Sequence, residues 1–344
     1  MNIKDLVRQY GQRVITTRRK LHRMPEVAYT EEKTSAYVAG LPFSSGHPGV
    51  MHACGHDGHT AMALVTATVM NRLKERINGC IKFVFQPAEE GPGGAKPMIA
   101  QGVMDDPRVD YALGCHIWPD IPEGTIGIRA GALLAAMFSF DITIKGKGGH
   151  GAMPHQCVDA LETGCQVVNA LQRIVSRKMN PLRPTVITVG KFQAGTAFNV
   201  IPETANLCGT ARTFDKATWK RWPDIIEKIV KGVCDSMGAG YEATYEQGYP
   251  PTINDSDMAD RMKRIAGDVV GPNCVVMPDK TMGGEDMAFF LEKARGCFFC
   301  LGAGNEAYAP IHNPRFDFNE KILLNGVETF CRAAMDLLGE PNTE

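Results

Sequence analysis

Neither sign of charge dominates this chain. Its 344 residues carry 37 Lys and Arg against 38 Asp and Glu, a net charge of -1. Proteins that neutralise many phosphates carry a basic surplus, so nucleic acid is not an expected partner. No window approaches the ~20 consecutive apolar residues of a membrane span. Met1–Val14 is polar and charged, unlike the apolar stretch of a secretory leader. The eleven cysteines are odd in number and scattered, without the short spacings of a disulfide framework. No internal repeat or low-complexity tract breaks the chain. A reduced, cytoplasmic, globular protein is the expectation, and at roughly 150 residues per domain it should have two domains.

Between these exclusions the chain has a clear rhythm. Leu6, Val14, Ile15 and Leu21 lie among basic residues and predict an amphipathic helix over Ile3–His22, ending before Pro25. Thr30 followed by Glu31 and Glu32 predicts a helix start running to about Ala39. Helices are predicted over Thr60–Leu73 and Gly94–Ala100, and short β-rich runs over Ile81–Phe85 and Tyr111–Gly114. Strand, helix, strand at this spacing marks a βαβ unit in a mainly parallel sheet. From about Gly131 the pattern changes. Phe138, Phe140, Ile142 and Ile144 alternate with polar residues, as in a half-buried antiparallel strand. The following order of helices and strands predicts a small α+β domain over 130–247. It interrupts an α/β domain whose two parts are 1–129 and 248–344.

Several clusters could carry chemistry. His52-Ala53-Cys54-Gly55-His56-Asp57-Gly58-His59 places five potential metal ligands in eight residues. Cys54 and His56, two apart, would share one face of an extended segment. Alone, the cluster also reads, less favourably, as a polar turn capping the next helix. Glu89-Glu90 follows the Phe83-Val84-Phe85 run and Pro87, and ligands of parallel sheets bind beyond the carboxyl ends of strands. Two adjacent carboxylates project differently, so one can ligate while the other handles protons. Gly91–Lys96 lacks the ending of a phosphate-binding loop, which rules out nucleotide binding there. Cys115-His116 follows a short apolar run, and Ile311-His312-Asn313-Pro314 supplies a further histidine. A thiolate, imidazole and carboxylate set suits Zn²⁺, with Mn²⁺, Co²⁺ or Ni²⁺ as further options. In the inserted domain, His150 lies in a Gly-Gly-His-Gly turn beside the more modest candidates Asn199 and Arg212. An arginine on a strand can grip a carboxylate bidentately, or simply form a salt bridge. Cys297 and Cys300 have C-x-x-C spacing but sit in an apolar run, which predicts a buried strand.

Motifs along most of the chain then point to one family. They are L-H-R-M-P-E at 21–26, P-G-V-M-H-A-C-G-H-D-G-H-T at 48–60, F-Q-P-A-E-E-G-P-G-G-A at 85–95 and C-H at 115–116. G-K-G-G-H-G-A-M-P-H at 146–155, F-N-V-I-P-E-T-A at 198–205 and G-T-A-R at 209–212 follow in order. G-G-E-D at 283–286 and H-N-P-R-F-D-F-N-E at 312–320 complete the series. The sequence resembles the metal-dependent aminoacylase, hippurate-hydrolase and auxin-conjugate-hydrolase group of amidohydrolases, relatives of the zinc exopeptidases. The resemblance implies an α/β catalytic domain holding two divalent metal ions and an inserted lid domain that forms a homodimer. By motif position, Cys54, His56, Glu90, His116 and His312 would ligate metal and Glu89 would be the general base. His150 would reach a neighbouring subunit's site and stabilise the oxyanion, while Asn199 and Arg212 would hold the substrate's carboxylate. The substrate would be an N-acyl amino acid. An aminopeptidase or dipeptidase on the same scaffold is the second reading, and an inactive acyl-amino-acid-binding relative the third. One departure stands out: the family's Arg-Ala-Asp-Met-Asp-Ala-Leu-Pro stretch has no counterpart between Gly40 and Leu41. With it goes an Asp that would orient a metal ligand.

Overall fold

The structure, a computed structural model, describes residues 2–23 and 51–339. The helix predicted from Thr30, and the junction at Gly40, lie outside the described residues. The chain divides into two compact units. The first comprises Met1–Gly131, Ile253–Asp279 and Phe289–Glu344; the second comprises Ala132–Thr252 and Lys280–Ala288.

The first unit is built on a four-stranded sheet ordered Tyr111–Pro122, Arg295–Gly304, Ile126–Gly127, Val275–Val276. The long central ladder is parallel, pairing Tyr111 with Arg295 through to Trp118 with Gly302. Arg295–Gly304 is buried along nearly its whole length. That is why Cys297-Phe298-Phe299-Cys300-Leu301 reads as a continuous apolar run and not an alternating one. The Arg295–Gly304 and Ile126–Gly127 strands pair antiparallel, so the sheet is mixed, with two of its three ladders parallel. Helices His56–Arg72, Ser256–Val270 and Ile322–Leu338 supply Met62, Val65, Met262 and Leu323 to one core with Ile117, Phe299 and Leu301. At Gly58 the helix approaches the strand closely. A Cβ there would come within 2.9 Å of the Ile117 side chain, so a larger residue would require Ile117, Phe318 and Leu323 to shift.

Two sequence expectations change here. Ile3–His22 forms two helices, Ile3–Gln9 and Gly11–His22. At Tyr10 the backbone N–H bonds to Val7 O, three residues back, tightening the turn, and Gly11 restarts the helix. Ile81–Phe85 has strand composition but forms no strand. No ladder partner pairs with it among the described residues, and Val84 and Phe85 are exposed.

The second unit pairs Thr185–Ala194, Thr204–Thr213, Ala136–Lys145 and Gly240–Gln247, in that order, as an antiparallel sheet. Along Ala136–Lys145 the side chains alternate between buried and less buried, as the period-two pattern predicts. Helices Ala160–Lys178 and Trp222–Met237 add Val167, Leu171, Trp222 and Val230 to a core with Phe138, Phe140, Ile142 and Ile144. Asp159 caps the first of these helices by accepting from the N–H groups of Leu161 and Glu162. Among the described residues no helix is long and apolar enough to cross a membrane.

Candidate metal centre

The strand Tyr111–Pro122 sets the first ligand candidate. His116 is buried, and its Nδ1 donates to Ile117 O at 2.6 Å. That bond commits the proton to Nδ1 and leaves Nε2 as a lone pair, 3.3 Å from Cys54 Sγ. Burial, followed by the nearby His56, pushes the His116 imidazole down to about 4. It is therefore neutral at neutral pH, as a ligand must be. Next to it, the Ile117 N–H donates to His59 Nε2 at 2.9 Å. His59 is thus spent on backbone, consistent with its absence from the ligands that the motif positions imply.

Cys54 and His56 do not share an extended face. Gly55 has φ +82° and turns the chain, so that His56 becomes the first residue of the helix running to Arg72. The buried Cys54 comes to lie beside His116, and His56 Nε2 stands 3.6 Å from Glu89 Oε2 and 3.8 Å from Glu90 Oε1. The backbone bends sharply at two further points around the cluster. Ala88, just before the glutamate pair, has φ +60°, and His312 itself has φ +61°. Left-handed conformations of non-glycine residues gather at functional sites, where surrounding contacts hold them. At His312 one such contact is its own N–H, which donates to Ala53 O at 2.8 Å. The same turn brings His312 Nε2 to 3.0 Å from Glu90 Oε1.

Six predicted site residues thus converge. Cys54, His56 and His116 form one triad whose donor atoms lie within 4.8 Å of one another, and Cys54, Glu90 and His312 form a second. His56, Glu89 and Glu90 make a third grouping at the same limit. Cys54 belongs to both of the first two, and Glu89 to neither. Burial alone would raise the Glu90 carboxyl, but the Cys54 hydrogen bond and the His312 and His56 imidazoles hold it below the usual carboxylate range. Soft sulfur, imidazole nitrogen and carboxylate oxygen in two linked triads form a donor set suited to borderline divalent ions. His52, Asp57 and His59 are absent from these groupings among the described residues.

The candidates in the second unit form their own arrangement. His150 and Val200 are paired across a short antiparallel bridge, and the Gly151 N–H donates to Asn199 O at 2.9 Å. The exposed His150 accepts from the Ala152 N–H at Nδ1, which leaves its proton on Nε2. Arg212 lies on the Thr204–Thr213 strand, opposite Met137 and Val186. It is partly buried, and that burial lowers its pKa.

The sequence of the chain matches the model of peptidase family M20/M25/M40 over residues 27–336. The chain belongs to this family. It is 43% identical over 300 residues to an N-acyl-L-amino acid amidohydrolase of Geobacillus stearothermophilus, covering 73% of this chain and 80% of that one. It is 35% identical over 378 residues to thermostable carboxypeptidase 1 of Saccharolobus solfataricus, covering 94% and 95%. Among solved structures it is similar to the Bacillus subtilis YXEP protein, described as a dinuclear metal binding peptidase from the M20 family. That match has a TM-score of 0.79 at 28% identity and covers 96% of this chain and 99% of the other. The chain is therefore an M20-family hydrolase with an α/β fold.

Two site features escaped the sequence. Asp57 looks like a ligand in its motif, yet its carboxylate turns away to accept from Arg18 Nε and to pair with His22 Nδ1, each at 2.8 Å. Arg18 sits in the basic run Arg18-Arg19-Lys20, which reads as a solvated face. One helical step separates the 1% exposed side chain of Arg18 from the 47% exposed side chain of Arg19. The inward turn of Arg18 had no signal in composition. Only the 3.6-residue period, taken together with Val14 and Leu21, could have hinted at it.

Proposed function

We propose that this M20-family protein hydrolyses the amide bond of N-acyl amino acids, releasing a carboxylate and a free amino acid. In this reading Cys54, His56, Glu90, His116 and His312 would hold the two divalent ions. Zn²⁺, Mn²⁺, Co²⁺ and Ni²⁺ all suit the donors. The single observation that carries the reading is the pair of triads joined at Cys54, with a further carboxylate beside them that neither triad uses. When bound, the ions would supply Lewis acidity to the amide carbonyl and to the attacking water.

The protein's own groups do the rest. Glu89, 3.6 Å from His56, is the general base: it takes a proton from water and returns it to the leaving nitrogen. His150, with its proton on Nε2, donates to the oxyanion; in a homodimer it would be supplied by the second copy. The Arg212 guanidinium and Asn199 hold the carboxylate of the amino acid. The amidohydrolase and the carboxypeptidase among its relatives bear names for different substrates. Each name is compatible with an amide next to a free carboxylate, so the same machinery accommodates both.

The test is free-amine release from N-acetyl, N-benzoyl and N-indoleacetyl amino acids and from dipeptides. Protein stripped of metal would be compared with protein reloaded with Zn²⁺, Mn²⁺ or Co²⁺. Glu89→Gln should retain metal and lose turnover by about 10²–10⁴-fold, the usual share of a general base. Undiminished turnover in that variant would remove Glu89 from the mechanism. Release that does not depend on metal would overturn the whole reading.

A further inference from the structure

The polar groups behind the metal candidates converge on one side chain. Arg18 is 1% exposed and donates in three directions. Nε reaches Asp57 Oδ2 at 2.8 Å, a terminal nitrogen reaches Asp317 Oδ1 at 3.0 Å, and the other reaches Glu320 Oε1 at 3.2 Å. The guanidinium also lies 4.6 Å over the ring of Phe318. Asp57 directly follows His56 and is fully buried, and Asp317 and Glu320 belong to the segment that follows His312.

We propose that Arg18 is a positioning residue that sets the spacing of His56 and His312, one from each metal triad, by anchoring both of their segments on one guanidinium. This rests on the metal-binding reading above. Three features favour it over a simple core ion pair. The carboxylates come from two segments far apart in sequence, and each segment carries a ligand candidate. The three N–H directions of a planar fork are all used, which an ammonium cannot reproduce. Glu123 ties the segment together across His312, accepting from Asn305 ahead of it and from Asn319, which lies between Asp317 and Glu320. The segment is therefore fixed on two sides, and its left-handed residue His312 lies between the two anchors. Groups that orient metal ligands from behind typically change metal affinity by about 10–100-fold when removed.

Full-length protein, stripped and then titrated with Co²⁺ against a competing chelator, tests this. Wild type would be compared with Arg18→Lys, Asp317→Asn and, as a partly buried ion pair elsewhere, Arg332→Gln, whose partner is Glu328. Arg18→Lys should stay folded by circular dichroism, bind Co²⁺ about 10–100-fold more weakly and show an altered visible Co²⁺ spectrum. Asp317→Asn should shift in the same direction by less, and Arg332→Gln should match wild type. Amide exchange of the metal-free proteins supplies a readout without metal: Arg18→Lys should speed exchange in residues 305–320 selectively. Wild-type Co²⁺ affinity and exchange in a folded Arg18→Lys would overturn the proposal, as would failure of both Arg18→Lys and Asp317→Asn to fold. If wild type binds no Co²⁺, the metal reading fails instead. The exchange comparison then decides whether Arg18 anchors the two segments at all.

Discussion

Acid should destabilise the metal-free protein through His116. Its imidazole is buried, and that burial, with a smaller contribution from His56, depresses its pKa from 6.5 to about 4. The unfolded chain titrates this group near 6.5, so between the two values the unfolded state binds a proton that the folded state refuses. Stability from this group is thus complete above about pH 6.5 and drains away as pH falls through about 4. The full gap amounts to about 3 kcal/mol, at 1.36 kcal/mol for each pH unit, and roughly 2 kcal/mol of it is lost between about pH 7 and pH 5. The assay is urea unfolding of chelator-treated protein, followed by far-ultraviolet circular dichroism, across that range. His116→Gln cannot take up the proton, so its stability should decline by about 2 kcal/mol less than that of wild type. His59 is also depressed, first by burial and then by His116 itself, so it titrates in the same direction in both proteins and less steeply in the variant. Equal losses in the two proteins would show that His116 is not held neutral by burial.

Cys54→Ala should lower the binding of both ions together, because the thiolate belongs to both triads; metal content after dialysis would show it, and loss of only one ion would exclude a shared ligand. In the second unit, Glu227 accepts from the hydroxyls of Tyr241 at 2.5 Å and Tyr245 at 2.6 Å. Chiefly through that hydrogen bond the Tyr241 phenol is pushed up to about 12. Glu227→Gln should bring its ionisation back toward about 10, read as phenolate absorbance on alkaline titration. An unchanged titration curve would rule out the carboxylate as the cause.

Much of the site was legible because its chemistry is written in residue types that are rare together. Cys54, His56, Glu90, His116 and His312 were each ambiguous alone, and the fold gathers all five into two triads joined at Cys54, with Glu89 beside His56 and Glu90. Periodicity was equally informative where one face is buried. The alternation at Phe138–Ile144 and the solid apolar run at Cys297–Leu301 foretold a half-buried and a fully buried strand. Where the signal failed, the deciding partner was remote. Ile81–Phe85 has the side chains of a strand, but strands are made by neighbours, and composition does not say whether a neighbour pairs. Asp57 could not be told from a ligand without knowing that Arg18, 39 residues earlier, would turn inward to meet it. The break at Tyr10 depends on one backbone bond, which an amphipathic pattern cannot register.

The central ladder also dictates an order of events during synthesis. Tyr111–Pro122 must wait for Arg295–Gly304, roughly 180 residues later, before its parallel partner exists. Ala132–Thr252 emerges from the ribosome in the meantime and brings nearly all of its own core with it. The nascent chain therefore carries an insert with nearly its whole core while Tyr111–Pro122 still awaits its ladder partner among the described residues, and Leu113 and Ile117 lack Phe299 and Leu301 of their core. That interval is when a chaperone has most to protect, and any pause placed after codon 252 would lengthen it.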